Sequence, residues 1–427
     1  MRQMMRNVLF VACFLSSFSF AEQTNDLENL TIEKAMQIAL EHNHDIRLSV
    51  YAGASASAST KIASAAPNPS LTLQTANINP AVGVGSGPWR NKAVDSTVRI
   101  DQLIERGGKR ELRTQNARLL EDAAHRDTEE AQRQLRISVS LSYYDLLAEQ
   151  EKSIITSQTV ALYDNSVAAA QKRLQAGDIA SADVARLQVD ALRAQNDAAQ
   201  AEADLAKARQ TLALVLGQIE RARQIRLADS WPSTQFNVNE QPESWVERRP
   251  DVLAAKSRLE AAMAARKLAL ASRTRDISIG LQYEHWPTNA ANAQGTGNSY
   301  GISVQIPLFV RNQFDGEIRA AEIAVDIAQE NLDKIRDQAR NELMASWQDA
   351  RASIERMQRY DDSLLAAAKK SADAAEFAFK NGALGVMDVL DARRTYRAIQ
   401  LDAVAARADF AKAQAAWQAA ISESNTK

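Results

Sequence analysis

Cysteine is nearly absent from this chain: there is one, Cys13, in 427 residues. A single thiol excludes a disulfide framework and any cysteine-based metal centre. Histidine is almost as rare, at four residues. Excess charge of either sign is missing too, since 51 Lys and Arg face 53 Asp and Glu. Bulk attraction to nucleic acid is therefore not expected. Glycine and proline are sparse, at 15 and 9 residues, while Ala, Gln, Arg, Glu and Asp are abundant. That balance favours long helices. Beyond residue 21 no apolar run approaches the roughly 20 residues of a membrane-spanning helix.

Catalytic signatures are lacking as well. No nucleophile elbow, metal-ligand spacing or dinucleotide fingerprint occurs, so neither an enzyme nor a cofactor is expected. IDQLIERGGKREL (Ile100–Leu112) resembles a phosphate loop only superficially. That loop needs GxxxxGK[ST], and here Lys109 is followed by Arg110. Glu41-His42-Asn43-His44 offers two imidazoles, but i, i+2 residues on a helix point apart, so a solvated surface is expected there. No metal site is assigned.

What is present begins with the N-terminus. Arg2 and Arg6 precede VLFVACFLSSFSF, which ends in Ser19-Phe20-Ala21. A charged region, a short apolar region and a small-residue cleavage site predict an export signal over residues 1–21, with the mature chain starting near Glu22. Phe10-Val11-Ala12-Cys13 is a faint lipoprotein box, and cleavage there would leave an apolar FLSSFSF tail.

The breakers that remain are placed systematically. No proline lies between Pro88 and Pro232, and none follows Pro307. From Lys109 to Leu216 the only glycine is Gly177, and from Glu317 to Ile421 the only ones are Gly382 and Gly385. Each interval reads as a helix, a turn and a returning helix. Gly177 and Gly382 differ by 205 positions, as do Asp183 and Asp388, Val184 and Val389, and Lys207 and Lys412. A near-constant offset means a duplicated unit of about 200 residues, far longer than a solenoid repeat.

The expected plan is mainly α with a small β part. A first repeat over 22–230 has helices at 31–66, 109–176 and 178–216 and strands near 70–76 and 94–104. A linker at 231–242 follows. A second repeat over 243–427 has helices at 243–273, 317–381 and 386–421 and strands near 277–284 and 300–309. Lys109–Ala176 would be about 100 Å long at the rise of an α-helix, so two short helices stacked end to end could match it. Ile318, Val325, Leu332 and Ala339 recur at sevens, after which the phase shifts to Leu343, Trp347, Ala350, Ile354 and Met357. Such stripes imply coiled-coil packing.

The strand segments alternate apolar and polar residues, as in Ile277, Ile279, Leu281 and Tyr283, and in Tyr300, Ile302, Val304 and Ile306. The pattern fits a transmembrane β-strand and equally a half-solvated soluble sheet. The export signal, the aromatics near strand ends (Trp89, Tyr283, Trp286, Tyr300) and the long polar connections favour the membrane. Four strands cannot close a membrane barrel, whose smallest form has about eight. Three copies would supply twelve strands, with their helices forming a tube.

At this point the chain resembles the TolC-like outer-membrane efflux proteins, the exit ducts of tripartite pumps and type I secretion systems. The most specific stretch is KNGALGVMDVLDARRTY (Lys380–Tyr396), similar to the family's helix-turn-helix tip, with QAGDIASADVARLQVD (Gln175–Asp190) as its counterpart. The resemblance implies a homotrimer in the outer membrane with a long periplasmic helical barrel. It also implies lipid around the strands, and a periplasmic adaptor that links the duct to an inner-membrane RND pump. Tips at Gly177, Asp178, Asp183, Gly382 and Gly385 would meet the adaptor. Asp388 and Asp391 fall on the family's acidic ring positions at the entrance, though acids in a helix's first turn are also ordinary. Phe379 and Leu384 stand where the family's namesake has polar gating residues. GGKREL with Arg113 and Ala117 resembles the heavy-metal (cobalt-zinc-cadmium, CzcC-like) branch. Gly107, Gly108, Lys109 and Arg110 are then expected to form the strand-to-helix hinge, with Lys109, Arg110 and Arg113 facing headgroups or the aqueous rim. A periplasmic coiled-coil adaptor or scaffold is the competing reading, disfavoured by the duplication and the four strands.

Overall fold

The computed structural model describes residues 27–78, 94–233, 243–287 and 297–421. The expected export signal with Cys13, the strand connection carrying Trp89, the other connection over 288–296 and linker residues 234–242 lie outside them.

The chain runs α1 (Ile32–His42), α2 (His44–Ser64), β1 (Ser70–Ala76), β2 (Asp95–Ile104), α3 (Lys109–Gln175) and α4 (Ser181–Val215). It continues through α5 (Glu243–Val246), α6 (Pro250–Ala271), β3 (Ile277–Trp286), β4 (Gly297–Gln305) and α7 (Asp315–Arg359). A π turn (Tyr360–Leu364), α8 (Leu365–Lys380) and α9 (Val386–Ile421) complete it.

Several expected single helices are divided. The one at 31–66 breaks at Asn43, which adopts an extended backbone (φ −65, ψ 134) and caps α2 by accepting from the Asp45 and Ile46 amides. Asn favours that position because its short side chain satisfies the free amides of the first turn. The helix at 243–273 splits because Pro250 begins α6, where a missing amide costs nothing. The helix at 178–216 starts only at Ser181, and the one at 317–381 is interrupted by the π turn. The last strand ends at Gln305, ahead of Pro307.

Asn43 also donates to the Val215 carbonyl at 2.9 Å, so α2 and α4 meet end to end beside the 67-residue α3. A Cβ on Gly217, whose φ is 68, would lie 2.5 Å from the His42 carbonyl oxygen, and only glycine allows this junction. Here α1 buries Ala35 and Ala39 against Val139, Tyr143, Leu146, Leu212 and Ile225. The Tyr143 hydroxyl lies 2.8 Å from an Asp229 carboxylate oxygen, and burial together with that carboxylate pushes its pKa up. In the second repeat Val246, Val252 and Ala255 meet Leu332, Ala339 and Leu343 of α7 and Trp417 of α9.

One polar network joins the repeats. Arg133 of α3 reaches Glu130 and, at 3.0 Å, Glu342 of α7; Arg249 reaches Glu342 at 2.9 Å and Asp251 at 2.8 Å. Burial alone would raise the Glu342 carboxyl, but the two guanidiniums outweigh it and hold its pKa below the ordinary value.

The four strands form one antiparallel sheet in the order β1-β2-β3-β4. Its register aligns Leu71, Ile100, Leu281 and Ile302 in one row and Leu73, Val98, Tyr283 and Tyr300 in another. The row between them holds Thr72, Arg99, Gln282 and Gly301, and the row beyond Leu71 holds Ser70, Asp101, Gly280 and Ser303. Because side chains alternate along each strand, the apolar and polar rows occupy opposite faces.

Candidate functional site

The two long hairpins turn in the same way. Gly177 (φ 84) follows α3, its amide bonding the Leu174 carbonyl at 3.0 Å while the Asp178 amide bonds Arg173 at 2.9 Å. Gly382 (φ 73) follows α8, with Gly382 bonding Phe379 at 3.0 Å and Ala383 bonding Ala378 at 2.8 Å. This pairing of i−3 and i−5 bonds around a left-handed residue closes the helix end. A Cβ at either glycine would touch nothing within 4 Å, so the constraint lies in the backbone alone. Gly385 has no positive φ, and a Cβ there would come within 3.3 Å of the Asp388 carboxylate. Asp178 is exposed, and Asp183 lies 3.8 Å from Arg186 in the first turn of α4.

Asp388 and Asp391 sit one turn apart at the start of α9, and both are exposed. Being i, i+3 they share a helix side. Phe379 is half-buried, with the Arg173 guanidinium 5.0 Å from its ring centre. Between the hairpins opens a cleft of about 440 Å³, lined by Ile179, Leu187, Phe379, Val386 and Leu390 among others. Its floor is the cluster of Tyr163, Ala170, Val184, Leu187, Ala191 and Leu390.

Three arginines of α9 bind the hairpins together, and sequence reasoning did not single them out. Arg393 pairs with Glu376 at 2.9 Å and lies 3.2 Å from the Ser166 hydroxyl; Arg397 pairs with Asp197 at 2.7 Å; Arg394 pairs with the buried Asp190. Bonds from Lys380 and then Arg393 hold the Glu376 carboxyl below its usual pKa. Burial, followed by the Asp190 charge, raises that of Tyr163. A signal existed: Arg393, Arg394 and Arg397 fall on one side of α9, and Asp190 and Asp197 are seven apart on α4.

At the other end Gly107 (φ 72) and Gly108 (φ 68) both take the left-handed conformation between β2 and α3. A Cβ on Gly107 would also stand 3.0 Å from the Thr274 side chain. Lys109 does not face headgroups or an aqueous rim. It is 13% exposed and donates to Asp276 and to the Thr274 carbonyl, both at 2.8 Å. Arg113, 36% exposed, is partnered within the protein, by Glu105 at 2.6 Å and the Ala63 carbonyl at 2.9 Å. For Lys109 the physical reason is the approach of the segment leading into β3, whose Asp276 supplies the carboxylate, whereas Arg113 finds Glu105 within the first repeat. Burial would raise Asp276, but the Lys109 bond and the Arg106 amide prevail and lower it. Arg110 alone stays open, 48% exposed beside Glu111. In the second repeat Phe314 (φ 65) takes the place of Gly108, packed edge-on to Phe309 at 5.0 Å.

The sheet leaves its apolar rows uncovered: Tyr300 is 84% and Ile302 79% exposed, and Leu71, Leu73 and Leu281 are open too. On the polar face Arg99 pairs with Asp101 at 2.7 Å and reaches the Ser303 hydroxyl at 2.9 Å. Gly280 lies beneath, where a Cβ would stand 2.5 Å from Asp101 Oδ1. Among the described residues no helix is long and apolar enough to cross a membrane. Nor do any three His, Cys, Asp or Glu among them gather to hold a metal ion; His42 and His44 are both exposed.

Residues 35–218 and 242–423 each match the family described as outer membrane efflux protein. The cobalt-zinc-cadmium resistance protein CzcC of Cupriavidus metallidurans is 27% identical over 322 residues, covering 74% of each chain. The outer membrane efflux protein BepC of Brucella suis is 23% identical over 274 residues, 63% of this chain and 59% of that one. Among solved structures, a membrane protein from Pseudomonas aeruginosa superposes with a TM-score of 0.78 at 18% identity, covering 93% and 92% of the two chains. CusC superposes at 0.76 and 18%, covering 92% of each. Two matched stretches spanning both hairpin units and the sheet establish that the chain belongs to the outer membrane efflux protein family, with its sheet in the outer membrane and its helices extending into the periplasm.

Proposed function

We propose that the protein is the exit duct of a tripartite RND-type efflux system and that its cargo is heavy-metal cations. The carrying observation is the sheet: an uncovered apolar face, a polar face bearing Arg99 and Asp101, and unpaired outer edges on β1 and β4. Unpaired edges bearing lipid-compatible side chains call for more strands. Three copies joined edge to edge give a twelve-stranded barrel, and their hairpins continue it as a periplasmic tube. An adaptor meets the tips at Gly177, Asp178, Asp183, Gly382 and Gly385 and connects the duct to its pump. Heavy-metal cargo follows from the likeness to CzcC. Cations pass through the tube without a dedicated site.

At the periplasmic entrance, threefold symmetry brings Asp388 and Asp391 of each copy around one axis as six carboxylates, which attract cations and disfavour anions. Single-channel recording in planar bilayers tests this: the parent is blocked by divalent or trivalent cations, and Asp388→Ala with Asp391→Ala weakens the block. Unchanged block removes the entrance role from the pair. Growth of a deletion strain on cobalt, zinc, cadmium, copper and a drug panel tests the cargo. A second reading, export of organic compounds, draws on the pyoverdine export outer membrane protein OpmQ of Pseudomonas putida, 23% identical over 300 residues. Sensitivity to drugs alone would select it.

A further inference from the structure

All four helices of the two hairpins contribute to the cleft of about 440 Å³, and the side chains they present explain why it stays open. At 169 and 170 α3 offers two alanines, while Leu187 of α4, Phe379 of α8 and Leu390 of α9 form other parts of the wall. Interiors are ordinarily filled to close packing, so a space of this size beside a buried cluster is set by the choice of side chains around it. Its volume falls within the range of small-molecule pockets, about 300–1,000 Å³. Those pockets are mainly apolar and carry a few polar groups that orient the ligand. This cleft has the same make-up.

Its charged groups do not balance. Arg173, Lys380 and Arg393 line it together with a single carboxylate, Glu376. Both oxygens of that carboxylate are engaged, Oε1 by Lys380 at 3.0 Å and Oε2 by Arg393 at 2.9 Å. Arg393 is occupied further by the Ser166 hydroxyl at 3.2 Å. Arg173 differs from the arginines of α9, of which Arg394 and Arg397 each hold an aspartate. It is half-buried and lies 5.0 Å from the ring centre of Phe379, yet among the described residues no carboxylate pairs with it. A guanidinium set against an aromatic ring keeps its fork of N–H groups for an acceptor, and a carboxylate matches that fork best.

We propose that this cleft is a binding site for a small amphipathic organic anion, whose apolar body lies among Ile179, Leu187 and Val386 and whose carboxylate or sulfonate is received by Arg173. Lys380 and Arg393 add to the attraction, since one carboxylate is shared between them. A cation of the same shape is disfavoured, because Glu376 has no free oxygen to offer it. The site is separate from Asp388 and Asp391, which do not line the cleft, and it does not depend on which cargo the duct carries.

Equilibrium dialysis of the full chain in nanodiscs, corrected with empty nanodiscs, tests the site with 2-naphthoate and with 2-naphthylmethylammonium as the cation of matching body. The expected result is saturable binding of one naphthoate per chain, with the ammonium weaker by about tenfold or more. Arg173→Gln should lower naphthoate affinity by about tenfold, and Arg173→Lys by less, since it keeps the charge and loses the fork. Glu376→Gln frees Lys380 and Arg393 and should raise the affinity. Lys172→Gln removes the same charge from the neighbouring exposed residue, which does not share the Arg173 side of α3, and should leave it unchanged. Equal losses in Arg173→Gln and Lys172→Gln overturn the proposal. Equal affinity for the two probes, or naphthoate binding that does not saturate, overturns it as well. Should Arg173→Gln fail to assemble, the comparison of the two probes on the parent and on Glu376→Gln decides: preference for the ammonium, or no gain in Glu376→Gln, removes the site.

Discussion

The first-repeat hairpin, α3 with α4, and its second-repeat counterpart, α7 through α9, close with the same glycine turn and diverge above it. The first is anchored to its tip by side chains of full size, Tyr163, Val184 and Leu187 all being buried. The second places Phe410 and Met357 above the π turn; below it α8 buries only alanines, and the large buried groups are Val389 and Leu390 of α9. Duplication supplied one plan, and the copies differ in how their long helices run to the tip: α3 is continuous, while α7 and α8 are joined through a π turn. The division falls on packing and helix phase, since both turns keep a glycine with positive φ.

That contrast is broken or sharpened by measured stabilities. Phe410→Ala is expected to cost about 4 kcal/mol, read by denaturant unfolding of the assembled protein, because a fully buried ring leaves a cavity. Leu187→Ala should cost about 3 kcal/mol at the tip of the first hairpin. Phe377→Ala, at the tip of the second, should stay within about 0.5 kcal/mol. Comparable losses at the two tips would remove the asymmetry.

Next in size is the network shared by the repeats. Arg133→Ala leaves Glu130 without its partner and Glu342 with Arg249 alone and, Glu342 being partly exposed, should cost about 2 kcal/mol. The Glu342 carboxyl is depressed in the folded protein, so its contribution is fully present above the unfolded carboxylate value of about 4.3 and disappears as pH falls through the folded one. Acid titration of the parent should therefore show a stability loss below that range that Arg133→Ala flattens. Smaller than the network's effect are the turn substitutions: Gly177→Ala and Gly382→Ala should each cost about 1 kcal/mol from the left-handed backbone. Equal values in a thermal melt would show that the turns are not where the hairpins differ.

The duplication, the two hairpins and the strand pairs were legible because glycine and proline punctuate them and alternation marks the strands. The tip glycines needed only their isolation in long breaker-free runs. The π turn was not marked in this way: IERMQRYDDSLLAAAKK contains no glycine or proline. Its trace is the phase slip between Met357 and Ala368, which becomes visible only when burial shows which alanines are in the seam. Asn43 was legible in type, as a capping residue, but hidden between His42 and His44 in an apparently continuous pattern. The inward turn of Lys109 was out of reach, because its acceptors, Thr274 and Asp276, come from the other repeat. The roles of Arg394 and Arg397 were out of reach for the same reason, since their partners Asp190 and Asp197 lie 204 and 200 residues away in sequence.

The pairing of β2 with β3 sets an order on how the molecule is made. Ile104 lies against Ile277, so the central ladder waits until the whole first hairpin has emerged and the second repeat has begun. Lys109 finds Asp276 only at the same moment. Contacts this distant in sequence are reached slowly. The first half alone would display β2 with one side unpaired, an adhesive ribbon awaiting its partner. Biogenesis of this protein should accordingly depend on keeping that ribbon covered until synthesis is well past its midpoint.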